Sequence, residues 1–345
     1  MTSRERVNAI LEHKPVDRLP RQLWALPAVH MFRKQERERL NELFEWDITE
    51  PDASMGVSRY CAGRPHMIGR YTDIYGNVWE VGQNGVEGEV KIPRIADYSY
   101  LKSYELPYEI LDSADFSRIN AGCAVTNKFV LAGTLARPFE AMQFLRGTEN
   151  LFVDIALNEP GFYELLSLLH KFFMREMRMW VETDVDGVQF MDDWGSQISL
   201  LISPEKWRAI FKPLYKEYCD ILHASGKKVF FHSDGNITEI YPDLIEIGID
   251  AVNSQLFCMN IEEIGQKYAG KIAFWGEIDR QHILPFGSEQ DVRSAVNRVA
   301  SALLKKGAPT GVIAQCEMGA IEPVGNIIAL YDQWEKTYNE YNIKN

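Results

Sequence analysis

Two hydrophobic rhythms take turns through the second half of the chain. Short runs of β-branched or aromatic residues at 128–132, 185–191, 228–232, 250–254, 271–276 and 311–315 read as strands. Between them, apolar residues recurring every three or four positions predict helices over 149–157, 160–182, 238–247 and 260–268. Ser203-Pro204 opens another helix, with an N-cap and a proline at the first helical position. Trp207, Ile210, Phe211, Leu214, Tyr218, Ile221 and Leu222 share one face of it; Pro213 should interrupt it and Gly226 closes it. Ser288-x-x-Asp291 begins a long helix that Gly307 ends, and a last helix covers 323–340.

The first half is less regular. Thr2-x-x-Glu5 has capping-box spacing before an apolar face of Val7, Ile10 and Leu11, and 18–24 reads as a strand. From about 45 to 125 the pattern weakens, with turn signals at Tyr75-Gly76-Asn77 and Asn84-Gly85. This stretch reads as a loop or hairpin excursion from one domain covering 1–345. Strands alternating with helices through short connections indicate a parallel sheet. No Gly-x-Gly-x-x-Gly or Gly-x-x-x-x-Gly-Lys-Ser/Thr turn follows a strand, which removes the best support for an open nucleotide-binding sheet. The expected fold is α/β, a TIM-type (β/α)8 barrel with an N-terminal elaboration.

Composition narrows the setting. The 46% hydrophobic content of 345 residues is enough for a large core. A net charge of −12 without a Lys/Arg run argues against nucleic acid or an anionic membrane as partner. Five widely spaced cysteines do not form a disulfide framework. The N-terminus lacks the apolar stretch of a signal peptide, and no apolar run approaches the ~20 residues of a membrane span. A cytoplasmic enzyme is the expectation, and a homodimer through the outer helices is compatible with it.

In a parallel barrel the carboxyl ends of the strands open on one face, so the residues there share a site. His232 and Asp234 stand two apart at one strand end, and Cys316 stands at another. Imidazole, carboxylate and thiolate are zinc ligands, and three of them with an open fourth position make a catalytic site. Singly, each has a plainer role: a hydrogen-bonded histidine, a helix-capping aspartate, a buried small thiol. Of the adjacent Asp192 and Asp193, one should face the mouth as a general acid or base and the other cap a turn. Glu277 could be a fourth ligand, a partner of His232 or a substrate acceptor. Gln255 reads as a polar wall residue, and Trp24, Trp194 and Trp275 could line a pocket for a flat or apolar group, though aromatic residues are often core.

Several blocks together resemble the uroporphyrinogen decarboxylase superfamily. They are Thr2-Ser3-Arg4-Glu5-Arg6-Val7 with Pro15-Val16-Asp17-Arg18-Leu19-Pro20, then Phe231-His232-Ser233-Asp234-Gly235, then Gly276-Glu277-Ile278-Asp279 with Leu284-Pro285-Phe286-Gly287-Ser288, and the stretch from Cys316 to Pro323. The resemblance spans nearly the whole chain and implies a TIM-type barrel.

Within that superfamily the motif residues separate two chemistries. The decarboxylases have an Arg-Gln-Ala-Gly-Arg block, where this chain reads Arg21-Gln22-Leu23-Trp24-Ala25 without the second arginine. Their tyrosine is replaced by Phe144, and their C-terminal histidine by Cys316, seven residues before Pro323. The corrinoid-dependent methyltransferases carry zinc on a His-x-Cys motif and a distant cysteine. His232 and Cys316 match its outer ligands, and Asp234 replaces the middle cysteine. This resemblance implies zinc on His232, Asp234 and Cys316, with Glu277 or Asp193 assisting protonation. It implies methyl transfer between a small methylated substrate and a separate corrinoid protein. The alternative is a decarboxylase of a tetrapyrrole or related acid.

Overall fold

The computed structural model describes residues 1–304 and 311–343. Its strands are β1 (Arg21–Ala25), β2 (Ile48–Thr49), β3 (Gly69–Thr72), β4 (Val78–Val81), β5 (Glu89–Ile92), β6 (Phe129–Gly133), β7 (Gly187–Met191), β8 (Lys228–Ser233), β9 (Ala251–Ser254), β10 (Ala273–Trp275) and β11 (Val312–Met318). Eight of them form one sheet in the order β1-β11-β10-β9-β8-β7-β6-β2, every neighbouring pair parallel. With helices outside, this is a nearly closed (β/α)8 barrel, as the alternation of strand and helix predicts.

The ends of the sheet, β1 and β2, face each other across a seam. At its base the Asp47 amide donates to the Arg21 carbonyl at 2.9 Å, and the Arg21 amide donates to Asp47 Oδ2 at 2.7 Å. Asp47 is fully buried and also accepts from Arg6 Nη1 and Arg18 Nη1, each at 2.6 Å. The capping box of Thr2 and Glu5 starts the helix Ser3–Leu11 that carries Arg6. One carboxylate thus ties the first helix to both edges of the sheet.

The weak stretch at 45–125 divides differently from the sequence reading. Ile48 and Thr49, inside the expected excursion, are the second barrel strand, paired with Phe129 and Val130. Two residues are too few to show an alternation. After them β3, β4 and β5 form a separate antiparallel sheet, followed by short helical turns. Its turn at Gly85 packs against the helix Pro27–Phe32, where an added Cβ would lie 2.8 Å from Ala28 Cα.

Elsewhere the elements follow their local chemistry. Ser203 caps the helix Pro204–Ile210 by accepting from the Lys206 amide, and Phe211 separates it from the helix Lys212–Ala224 because Pro213 has no N–H to continue the ladder. Ser288 and Asp291 form a capping box for the helix Glu289–Leu303, whereas the expected stop at Gly307 lies outside the described residues. Among the described residues no helix is long and apolar enough to cross a membrane.

Candidate metal and active site

His232 is the penultimate residue of β8, buried to 6% exposure, and its ring is held from behind. Asn253 of β9 donates through Nδ2 to the Trp275 carbonyl, an oxygen that can only accept. That contact fixes the Asn253 amide, so its Oδ1 accepts from His232 Nδ1 at 2.7 Å. With the proton placed on Nδ1, Nε2 presents its lone pair forwards, the tautomer a metal ligand needs.

Two carboxylates meet Nε2. Asp234 Oδ1 lies 3.4 Å from it and Asp193 Oδ1 3.6 Å. One donor atom from each of Asp193, His232 and Asp234 falls within 4.8 Å of the others. The loops carrying the carboxylates are interlocked: the Asp234 amide donates to Asp193 Oδ1 at 2.8 Å, and the Gly195 amide to the Asp234 carbonyl at 3.0 Å. This approach requires glycine on both sides. A Cβ on Gly235, at φ +76°, would sit 2.2 Å from the Gly195 carbonyl oxygen, and one on Gly195 would sit 2.5 Å from the Asn236 nitrogen.

The charges around the group are unequally satisfied. Arg280 donates to Asp234 Oδ2, to Glu317 at 2.7 Å and approaches Glu277 at 3.4 Å. Asp234 Oδ1 is buried with no hydrogen-bond partner. Burial raises Asp193, opposed by His232 and reinforced by Asp234. Burial also drives Glu277 well above the usual carboxyl range, opposed by Arg280.

The adjacent pair Asp192 and Asp193 is resolved by capping. Asp192 turns inward and accepts from the Phe139 and Glu140 amides at 2.9 and 2.8 Å, closing the N-terminus of the helix Pro138–Arg146, and from the Tyr215 hydroxyl. Asp193 alone reaches the mouth group.

The cysteine does not join it. In β11 Gln315 reaches Asn253 and Glu317 reaches Arg280, both on the inner side of the barrel. Side chains alternate along a strand, so Cys316 faces the outer layer and the helix Val324–Ile343, whose buried Tyr331 senses it. Burial raises its thiol well above the ordinary value, and Glu322, Glu317 and Glu277 reinforce the shift. Of the expected ligands His232, Asp234 and Cys316, the first two come together, and the third member of the group among the described residues is Asp193 instead of Cys316.

The other expected residues separate. Trp24 packs edge-on against His232 at 5.3 Å and against Trp275 at 4.9 Å. Trp275 lies fully buried beneath them, its Nε1 donating to Gln22 Oε1 at 2.6 Å. Gln255 accepts from the Gly235 amide at 3.0 Å and braces the loop of Asp234. Trp194 is core: it stacks on Phe139 at 4.1 Å, donates to Tyr215 and is fully buried.

With this geometry in view, comparisons place the chain. The family model described as uroporphyrinogen decarboxylase (URO-D) matches residues 2–332. The chain belongs to the URO-D family. No curated protein sequence matches it. Among solved structures, a methyltransferase from Methanosarcina mazei is similar with a TM-score of 0.70 at 14% identity, covering 98% of this chain and 99% of that one. An endo-beta-1,4-xylanase from Gloeophyllum trabeum is similar at a TM-score of 0.43 and 9% identity, covering 95% and 99%. At 14% identity the likeness to the methyltransferase is one of fold.

The residues that support the site were not legible beforehand. Asn253 is a polar residue in an apolar run, and Arg280 a lone cation among Glu277, Asp279 and Asp234, which are the signals they leave in a URO-D-family sequence. Arg137 and Glu140 face each other at 3.5 Å at the start of the helix that Asp192 caps, and burial raises Glu140 from 4.5 to about 9, opposed by Arg137 and reinforced by Asp193 and Asp192.

Proposed function

We propose that the protein is a zinc-dependent methyltransferase that moves a methyl group between a small methylated substrate and a separate corrinoid protein. The observation that carries this reading is the donor group of Asp193, His232 and Asp234, with a buried unpartnered carboxylate oxygen facing an imidazole lone pair. Two carboxylates and an imidazole fit a divalent ion and give a harder site than one containing a thiolate. When bound, the ion supplies Lewis acidity that draws charge onto a substrate heteroatom.

The chain's own residues supply the rest. Asn253 sets the His232 tautomer, and Arg280 draws Oδ2 of Asp234 aside and leaves Oδ1 free. Glu277, whose carboxyl burial pushes towards the protonated form, is the group placed to supply the proton that the departing heteroatom requires. It borders a small cavity of ≈ 70 Å³ shared with Gln255 and Arg280. Trp24 and Trp275 exclude water from one side of the imidazole. Membership of the URO-D family and the methyltransferase-like fold support this reading, and the missing second arginine after Gln22 disfavours a tetrapyrrole acid as substrate.

The test is metal analysis of the purified protein joined to a methyl-transfer assay with a reduced corrinoid protein. The expected result is about one equivalent of zinc, with zinc and methyl transfer lost together in His232→Ala. Release of carbon dioxide from a porphyrinogen by metal-free protein would overturn the proposal.

A further inference from the structure

The seam between β1 and β2 is open above the Arg21–Asp47 contact, and a cavity of ≈ 1020 Å³ occupies it. It is bounded by Gln22 to Leu26 on one edge and Ile48 to Glu50 on the other. All five residues of β1 are half-buried, whereas β9 and β10 are buried throughout. β1 thus behaves as a strand with a cleft beside it. The helix Lys34–Leu43, which covers the seam, buries only Leu40 and does not fill it.

The cleft is continuous with the barrel interior, because Gln189 and Met191 of β7 and Glu317 of β11 also line it. Its inner wall includes Trp24, whose other edge contacts the His232 ring. Its outer wall includes Arg37, half-buried and oriented in an uncommon way. His30 Nε2 lies 3.0 Å from the Ala25 carbonyl and donates to it, so its Nδ1 accepts from Arg37 Nη1 at 3.1 Å. A neutral imidazole, not a carboxylate, positions this guanidinium, and among the described residues Arg37 has no ion pair. Glu42, Glu45 and Glu50 border the same cleft but are exposed, where solvent screens them.

We propose that this cleft is a lateral binding site for a flat, elongated small molecule with an anionic end, the anion held by Arg37 and the far end brought against Trp24 beside His232. Its volume suits one such molecule. An indole wall recognises a flat apolar body, and a guanidinium with unspent donors recognises a carboxylate. The proposal rests on the reading of the site as a methyltransferase, because it leaves the barrel mouth free for a protein-borne methyl carrier while the small molecule arrives from the side.

The experiment needs neither metal nor partner, so its failure is separate from failure of that reading. Calorimetric titration of the full chain compares 2-naphthoate with 2-naphthalenemethanol, which share a body and differ in the anion. The wild type is expected to bind the carboxylate at least about tenfold tighter; Arg37→Gln erases the preference, and Arg39→Gln, an exposed change of the same charge, retains it. Hydrogen exchange on the wild type is expected to show 2-naphthoate protecting 22–26 and 46–50, a readout independent of how any variant folds. Equal binding of acid and alcohol, a preference that survives Arg37→Gln, or protection confined to other segments overturns the proposal.

Discussion

Asp234 Oδ1 stands 3.4 Å from His232 Nε2, is buried, and accepts no hydrogen bond. A charged oxygen in that condition is costly unless a proton or a cation shares the space. The same condition makes the identity of the third ligand testable. Asp193→Ala should lower zinc affinity by more than the roughly 100-fold that an outer partner is worth, and Cys316→Ala should leave it within about a factor of three. Competition titration with a chromophoric chelator measures both. Loss of zinc on removing Cys316, with Asp193→Ala unaffected, would restore the thiolate to the site.

Asn253 reaches the donor group of Asp193, His232 and Asp234 through His232 Nδ1. Asn253→Leu should reduce zinc affinity by about 10- to 100-fold without abolishing it, since imidazole is retained and only its tautomer and orientation are released. The same titration checks this. The NMR signal of the His232 ring nitrogens should also shift towards a mixture of tautomers, and an unchanged tautomer would contradict the role assigned to Asn253.

Gly235 has a positive φ and faces the backbone of the neighbouring loop, which cannot step aside as a side chain could. Gly235→Ala should destabilise the fold by about 2 kcal/mol or more, from left-handed strain and overpacking together. It should also separate Asp193 from Asp234. Thermal unfolding by circular dichroism reads the first effect and zinc content the second. A variant with wild-type melting and full zinc would refute the interlock.

Glu176 provides a pH dependence away from the site. It is fully buried, accepts from the Leu135 amide at 3.0 Å and from Trp180 Nε1 at 3.2 Å, and burial raises it from 4.5 to about 7. Because the folded value lies above the unfolded one, its contribution to stability is fully present below about 4.5 and is lost as pH rises through about 7. The span corresponds to roughly 3 kcal/mol. Relative to the wild type, Glu176→Gln should therefore gain stability between pH 5 and pH 8. Urea unfolding at the two pH values checks the sign, and parallel profiles would exclude it.

The barrel was readable from sequence because buried parallel strands and amphipathic helices leave opposite periodicities, and β6 to β11 lie where those runs stand. β2 was lost in the 45–125 stretch because two residues have no period. The site was half legible. His232 and Asp234 were found because they end a strand, but the choice of partner turned on parity. A displacement of one residue sends a strand side chain to the other face, and β11 places Gln315 and Glu317 inward and Cys316 outward. Asp193 was identified as an acid or base candidate and not as a ligand, because only the interlocked glycine loops bring it to Asp234. Asn253 and Arg280 act through contacts between distant segments, which no local pattern records.

The contacts of Asp47 have a bearing on how the barrel's two free margins stay together. A ladder would share that task among many amides, each nearly dispensable. Here the first helix and both margins converge on a single anion sealed from water, so removing Arg6 and Arg18 would strand a charge at the hinge-post of the whole cylinder. The closure is consequently electrostatic at its foot and open along its length, with the ionic contacts at one end of the seam and the cleft above them.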